Sequence, residues 1–142
     1  MKEFKIAHLV KSEDLNIHGT LFAARAAAWF VESGYIAASS THGSTAEVVC
    51  VNVHGMVFSK PVKNGDIISF NSKIVRAGRT SLTSAVEVVS ELTGETTLKG
   101  FATFVTIDHK TGRSMEHNIQ LDETTDEKEL QLRKEASKLF EK

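Results

Sequence analysis

The sequence predicts an α+β domain in which an antiparallel sheet of about five strands curls around one long, buried helix. Two observations predict this fold. Residues 21–38 are almost all apolar or alanine, so a helix formed there must be covered on most of its sides. Five segments of strand character accompany it, and four of them follow the helix as a meander with short turns. Only a sheet that wraps around the helix lets five strands cover it.

The central helix carries only two charged side chains. Arg25 and Glu32 lie seven positions apart, and so on one side of the helix, with Trp29 about one turn from each. An unpaired buried charge is costly, so we expect Glu32 to be paired, protonated or directed into a wet pocket. The apolar run is slightly shorter than the ~20 residues that usually span a bilayer. Arg25 and Glu32 would also lie within the hydrocarbon core of a membrane, so no membrane span is expected.

A second polar cluster marks the start of the helix. Asn16, His18 and Thr20 can supply helix caps, and Gly19 lets another backbone or a ligand approach closely. The backbone amides near Gly19, at the positive end of the helix, are candidates to bind an anion or a developing oxyanion.

Composition indicates one globular domain and sets limits on its partners. The chain has 142 residues, of which 41% are hydrophobic and 25% charged, and its formal charge of −1 gives no argument for nucleic acid or a membrane surface as a partner. Cys50 is the single cysteine, which excludes an internal disulfide. The opening MKEFKIAHLV lacks the pattern of a signal peptide, so we expect a cytoplasmic protein. The six histidines are scattered without ligand spacing, so no metal site is expected.

The strands are predicted from alternation and from β-branched residues between turn signals. In the first strand, residues 4–10, Phe4 and Ile6 alternate with Lys5 and His8. The turns that separate the later strands are rich in glycine, asparagine, aspartate and proline. Those later strands are expected at residues 46–53 with a continuation at 56–59 after a bend at His54 and Gly55, and at 67–77, 81–92 and 97–107.

The carboxy-terminal part differs from the rest. Thr124 and Glu127 fit a capping box, and Leu132, Ala136, Leu139 and Phe140 recur at helical spacing among many charges. We therefore divide the chain into a main domain, residues 1–113, and an extension with an amphipathic helix, residues 114–142.

Four short blocks, taken in order, resemble the hotdog-fold acyl-CoA thioesterases, in particular the acyl-CoA hydrolase branch. DLNIHGTLF, residues 14–22, resembles the Asp, Asn and Gly that precede the family's apolar helix. FSKPVKNGD, residues 58–66, is similar to its turn of Phe, Pro-Val and Gly-Asp. AGRTS, residues 77–81, is similar to its Gly-x-Thr-Ser loop, and FVTIDHKTG, residues 104–112, to its closing strand. The resemblance implies a hotdog fold, in which the sheet curls around one long helix.

The resemblance also implies a function. The expected reaction is hydrolysis of an acyl-CoA thioester, in a site shared between two subunits, with CoA present only as part of the substrate and no other cofactor. An acid on the central helix would act as base or nucleophile, and Asn16 would orient water or the thioester. Aligned without gaps from Gly19, the family's acid position is Val31, and the catalytic candidate Glu32 follows it. Substrate contacts are implied for His18, Gly19, Phe58, Gly78, Arg79, Thr80 and Ser81.

Alternatives stay open for the function and for single residues. Val31 in the acid's place would suit a protein that binds CoA or acyl-CoA without hydrolysing it. The pair Asp14 and His18 invites comparison with a hotdog enoyl-CoA hydratase, although the histidine comes one residue early. Glu32 could instead form a structural ion pair, Asn16 could cap the helix, and residues 79–81 could simply shape a hairpin.

The predicted sheet has consequences for assembly. A curled sheet of about five strands leaves an edge exposed, and an exposed edge favours pairing with another strand. We therefore predict a homodimer in which two such sheets pair, and the family suggests tetramers or hexamers beyond it.

Overall fold

A computed structural model describes residues 1–141, and the chain forms five β-strands and two α-helices within them. Each predicted strand is present, with ends that differ by at most two residues from the expected ones. A short 3₁₀ turn, Ser12–Asp14, precedes the long helix. The strands are β1 (Phe4–Leu9), β2 (Val48–Phe58), β3 (Ile67–Ala77), β4 (Ser81–Ser90) and β5 (Thr96–Thr106), and the helices are α1 (Ala23–His42) and α2 (Glu127–Lys138).

The five strands form one antiparallel sheet in the order β1-β3-β4-β5-β2. α1 contacts all five strands, so the sheet curls around it as predicted. The core between helix and sheet contains the fully buried rings of Phe30, Phe70 and Phe104. This arrangement leaves β1 and β2 as the two edges of the sheet.

β2 is one strand rather than two. Its pairing with β5 shifts register between Cys50 and Asn52 and again between His54 and Val57, where Gly55 has a φ of +55°. The bend predicted at His54 and Gly55 is therefore a local irregularity within a continuous edge strand.

The expectation that α1 is covered on most sides is wrong for the single chain. One face of the helix, which includes Ala24, Arg25, Ala28 and Glu32, is exposed. The sheet of one chain reaches only one side of a helix, and the apolar character of the opposite side comes mainly from alanines, which cost little when exposed. Among the described residues, the structure contains no helix both long enough and apolar enough to cross a membrane.

α2 packs on the other face of the sheet. Ala136 and Leu132 contact a small second core of Val75, Ala85 and Phe101. The buried carboxylate of Glu129 pairs with Lys73 at 3.1 Å, and it also contacts Arg133 one turn later. These contacts attach the predicted extension to the main domain, whose boundary at residue 113 stays a prediction.

The predicted limits of α2 need two corrections. Thr124 does not cap the helix, because its hydroxyl accepts a hydrogen bond from the Asp126 amide and Asp126 occupies the cap position. Phe140 lies beyond the last helical residue, with the Arg76 guanidinium 3.5 Å from its ring centroid. Residue 142, the last of the predicted extension, lies outside the described residues.

Gly100 provides a test of the contact between β5 and the irregular part of β2. A methyl group at this position would lie 2.8 Å from the Met56 Cα and 3.0 Å from the His54 carbonyl oxygen, both backbone atoms. Backbone cannot move aside cheaply, so we expect Gly100→Ala to lower the free energy of unfolding by about 1–3 kcal/mol, measured by urea denaturation.

Gly34→Ala is the matched control. A methyl group there meets only side-chain atoms, at 3.4–3.5 Å, and alanine is the better helix former. We expect a change below about 1 kcal/mol. Equal effects of the two substitutions would contradict this account of Gly100.

Candidate functional site

Asn16 organises the loop that leads into α1. Its side-chain oxygen accepts hydrogen bonds from the backbone amides of His18, at 2.8 Å, and Thr20, at 3.2 Å. Its side-chain nitrogen donates to the Thr20 hydroxyl at 3.1 Å, and Gly19 turns the chain with a φ of +80°. Asn16 therefore shapes a tight loop of five residues.

This arrangement corrects two expectations about the start of the helix. Asn16, His18 and Thr20 do not cap α1, because the helix begins later, at Ala23, and its cap residue Phe22 makes no side-chain cap. The amides of His18, Gly19 and Thr20 are not available to an anion, since each is bonded to Asn16.

The Asn16 loop and the predicted turn at residues 58–66 meet in the structure. The Leu21 amide donates to the Val62 carbonyl at 2.8 Å, and Thr20 forms a β-bridge with Lys63. Beneath this junction lies an apolar pocket of about 170 Å³, and Phe58, half of which is exposed, stands at its wall. The other apolar residues lining it are Leu21, Ala26, Val62, Ile68, Phe70, Val88 and Leu98.

The predicted contacts at Gly78, Arg79, Thr80 and Ser81 lie at the other end of the sheet. These residues form the turn between β3 and β4, whereas the pocket lies at the start of β3, where Ile68 and Phe70 line it. Phe70 at the pocket and Gly78 in the turn are eight residues apart along the chain, which is about 26 Å of extended strand. A single chain therefore does not bring the two predicted groups into one site.

The hairpin residues are also engaged with their own neighbours. Arg79 is exposed and pairs with Glu116 at 3.0 Å, and the Ser81 hydroxyl accepts a hydrogen bond from the Arg76 guanidinium at 3.2 Å. The Thr80 carbonyl accepts a hydrogen bond from the Thr106 amide at 2.8 Å. These contacts match the structural alternative, in which this segment shapes a hairpin.

Glu32 lies on the exposed face of α1, which corrects the expectation that it is buried. Within residues 1–141 its carboxylate has no hydrogen-bond or ion-pair partner. Arg25 does not pair with it and instead lies 3.5 Å from the buried carboxylate of Asp14. Glu32 is nine residues after the first residue of α1, so it lies about 14 Å along the helix from the end near Asn16.

Val31, the position of the family's acid, is in different surroundings. It is half-buried and packs against the main core. Because adjacent helical residues are about 100° apart, Glu32 next to it points away from that core toward the open face.

His8 is a site residue that the sequence analysis missed. Its ring stacks on Trp29 of α1, with centroids 4.1 Å apart and planes 8° from parallel, and it meets the Phe70 ring edge-on at 5.6 Å. The signal was present in the alternation of β1, because Phe4, Ile6 and His8 share the inward face. The prediction placed His8 on the polar side with Lys5, and this is wrong.

Burial and three nearby charges act on the imidazole. Burial is the largest effect and lowers the pKa of His8 below its ordinary value. The negative charges of Glu32 and Asp14 raise this pKa, and the positive charge of Lys11 lowers it. The lowered pKa favours the neutral form of the imidazole.

Comparison with known proteins identifies the class. The five-stranded antiparallel sheet curls around one long helix, which is the fold that the resemblance implied. The family model described as the thioesterase superfamily matches residues 18–97, which is more than half of the chain. The chain therefore belongs to the thioesterase superfamily, as the resemblance implied. Asn16 lies just before the matched range.

Relatives and solved structures agree with this family. An uncharacterized acyl-CoA thioester hydrolase of Buchnera aphidicola is 34% identical over 80 residues, which are 56% of this chain and 58% of that protein. The match thus spans less than two thirds of the relative's length.

Two solved structures extend over most of the chain. An apo-hexameric acyl-CoA thioesterase is 27% identical, covers 96% of this chain and 86% of its own, and has a TM-score of 0.84. A hexameric thioesterase from Yersinia pestis is 26% identical, covers 78% of this chain and 91% of its own, and has a TM-score of 0.71. Both confirm the predicted hotdog fold.

The hydrogen bonds of Asn16 allow a test of the loop. We expect Asn16→Ala to expose the His18 and Thr20 amides, and their hydrogen exchange, followed by NMR, to become about fivefold faster, since a net hydrogen bond contributes about 1 kcal/mol. Asn16→Asp keeps the accepting oxygen and is the control, with protection retained at both amides. Unchanged exchange in Asn16→Ala would show that the loop does not depend on this side chain.

Proposed function

We propose that this protein hydrolyses the thioester of an acyl-CoA to the free acid and CoA. The observation that carries the proposal is the Glu32 carboxylate, which is exposed and unpaired among residues 1–141 in a chain of the thioesterase superfamily. Because the Glu32 carboxylate is exposed and makes no hydrogen bond or ion pair within residues 1–141, it is free to act on a ligand. Two of the similar proteins, the acyl-CoA thioester hydrolase of Buchnera aphidicola and the apo-hexameric acyl-CoA thioesterase, support the same reaction.

Glu32 is the proposed general base. It takes a proton from water while the water oxygen bonds to the thioester carbonyl carbon, and the carbonyl oxygen becomes an oxyanion. When the oxyanion collapses, the carbon–sulfur bond breaks and the CoA sulfur receives the proton from Glu32. Direct attack by the carboxylate, followed by hydrolysis of the anhydride, is the nucleophilic version of the same chemistry.

Donors for the oxyanion are proposed at the start of α1. The hydrogen bonds of α1 begin with the amides of Arg25 and Ala26, which donate to the Phe22 carbonyl. Within the described chain, the amides of Ala23 and Ala24 therefore have no backbone acceptor. They also lie at the positive end of the helix. Asn16, which holds the adjoining loop, positions this end of the helix for the thioester.

The apolar pocket is the proposed acyl site. Its walls are the side chains of Phe58, Leu21 and Leu98, which can cover an acyl chain and exclude water.

CoA enters as part of the substrate, and the proposed chemistry needs no metal or further cofactor. We also retain the predicted contact of CoA with Gly78, Arg79, Thr80 and Ser81, and with His18 and Gly19. The cytoplasmic location stays a prediction.

A shared site requires a second copy of the chain. Glu32 lies about 14 Å along α1 from the Asn16 end, and the hairpin at residues 78–81 is at the far end of the sheet, so we propose that two copies complete each site. The edge strand β2 exposes Val49, Val51 and Val53, an apolar row that suits pairing with the β2 of another copy. Two similar structures are of hexameric thioesterases, which supports further assembly of such dimers.

One observation favours a second function. The acid position of the family is occupied by Val31, which packs into the core and cannot act as a base. If Glu32 does not replace that acid, the protein would bind CoA or acyl-CoA without turnover. The hydratase alternative has less support, because Asp14 is buried beside Arg25 whereas His18 is exposed.

The proposed reaction is tested by release of free CoA thiol from acyl-CoAs of short, long and aryl acyl groups. We expect Glu32→Gln to keep the fold but to lose about 100-fold or more in kcat, because the amide cannot accept the proton. Glu123→Gln, which removes another exposed carboxylate, is the control and should match the wild type. A wild type that binds CoA and is inert on every acyl-CoA would overturn the hydrolase in favour of the binding protein.

The proposed dimer is tested by light scattering after size exclusion. We expect Val51→Lys to shift the protein toward monomer, since a lysine on an edge strand opposes pairing with another edge. Leu92→Lys replaces an equally exposed apolar residue in the turn after β4 and should leave the assembly intact. Retention of the oligomer in Val51→Lys would place the interface elsewhere.

A further inference from the structure

His8 carries an imidazole without a hydrogen-bond partner at the edge of the core. His42, His54 and His117 each bond a neighbouring oxygen through Nε2, whereas within residues 1–141 His8 has no such contact. The ring is instead held by aromatic contacts, flat against Trp29 and edge-on to Phe70. Stacking fixes the plane of the ring but leaves its nitrogens free to donate and accept.

Glu32 is the nearest functional group that such a ring could serve. It follows Trp29 by three positions, so the two side chains are neighbours on the surface of α1. Its charge is close enough to raise the pKa of His8. Because Glu32 is exposed and has three rotatable side-chain bonds, its carboxylate can turn toward the ring.

The other groups around His8 do not compete for this role. Asp14 faces it from the 3₁₀ turn but is buried and accepts from the Lys11 amide at 2.9 Å, with Arg25 at 3.5 Å. Lys11 is exposed, and its ammonium group cannot accept a hydrogen bond from the ring. On the sheet side, the partner strand β3 presents the apolar residues Ile68 and Phe70.

We propose that His8 is a positioning residue, whose ring N–H donates a hydrogen bond to the Glu32 carboxylate and holds it beside Trp29 for attack of water on the thioester. This inference rests on the proposed function. A neutral imidazole suits the role, because it supplies one donor without adding a charge that would weaken a base. The contact also compensates for the position of Glu32, one residue beyond the family's acid.

Two variants of His8 separate the hydrogen bond from the stacking. His8→Phe keeps an aromatic ring against Trp29 but has no donor, and we expect kcat for acyl-CoA hydrolysis to fall about tenfold or more, as for other groups that orient a catalytic residue. His8→Gln restores an N–H at a similar reach without the ring, and we expect it to recover most of that loss. A loss in His8→Gln as large as in His8→Phe would overturn the proposal. Retained activity in His8→Phe with a loss in His8→Gln would show a packing role instead.

A double-mutant cycle tests whether His8 acts through Glu32. In a Glu32→Gln background, His8→Phe should change the residual rate by less than about twofold, because there is no carboxylate left to hold. The same tenfold loss in both backgrounds would show that His8 acts independently of Glu32.

A titration of the His8 ring by proton NMR separates this inference from the proposed function, since it needs no activity. We expect Glu32→Gln to lower the pKa of His8 further, because a neighbouring negative charge is removed, while Glu123→Gln leaves it unchanged. An unchanged His8 pKa in Glu32→Gln would overturn the contact. A wild type inactive on all acyl-CoAs, with the pKa shift present, would overturn the hydrolase but leave the His8–Glu32 pair in place.

Discussion

The close contact between α1 and the sheet at Ser33 and Gly34 is the constraint on which the rest of the structure depends. The carbonyls of these two helical residues accept hydrogen bonds from the hydroxyls of Ser72, at 3.0 Å, and Ser84, at 2.9 Å. The helix is close to the sheet here, since a methyl group at Gly34 would lie 3.4 Å from the ring of Phe104. Each such bond contributes about 1 kcal/mol net, and a buried hydroxyl left without a partner would cost more. Helix and sheet are therefore fixed in one rotation relative to each other.

That rotation decides which residues of α1 are available for chemistry. With Ser33 and Gly34 against the sheet, Glu32 points to the open side and Trp29 lies where β1 crosses the helix. The Trp29 ring stacks on His8 of the edge strand, so residues from distant parts of the sequence pack together beside α1. Moving the acid one position, from Val31 to Glu32, turns it by about 100° away from the core and toward the open face.

The same geometry separates the two groups of residues that the family motifs suggested for substrate binding. The Asn16 loop and Phe58 lie at one end of the sheet, and residues 78–81 lie at the other, so an eleven-residue strand stands between them. The open face of α1 and the exposed valines of β2 are on surfaces that one chain leaves uncovered. Pairing of two chains would cover these surfaces and bring opposite ends of two sheets together, which is why assembly and activity are linked in the proposed function.

The sequence by itself determined the five strands, the long helix and the amphipathic helix α2, because alternation and helical spacing are local patterns that the backbone must obey. The four motif blocks also sufficed to predict the hotdog fold and the thioesterase superfamily. Only the tertiary structure decided that Asn16 ties a loop rather than a cap, that Glu32 is exposed, and that His8 faces inward against Trp29. These outcomes depend on where a loop closes and how a helix is rotated against its sheet. Both are set by hydrogen bonds and packing between residues far apart in the chain, which periodicity within a segment does not encode.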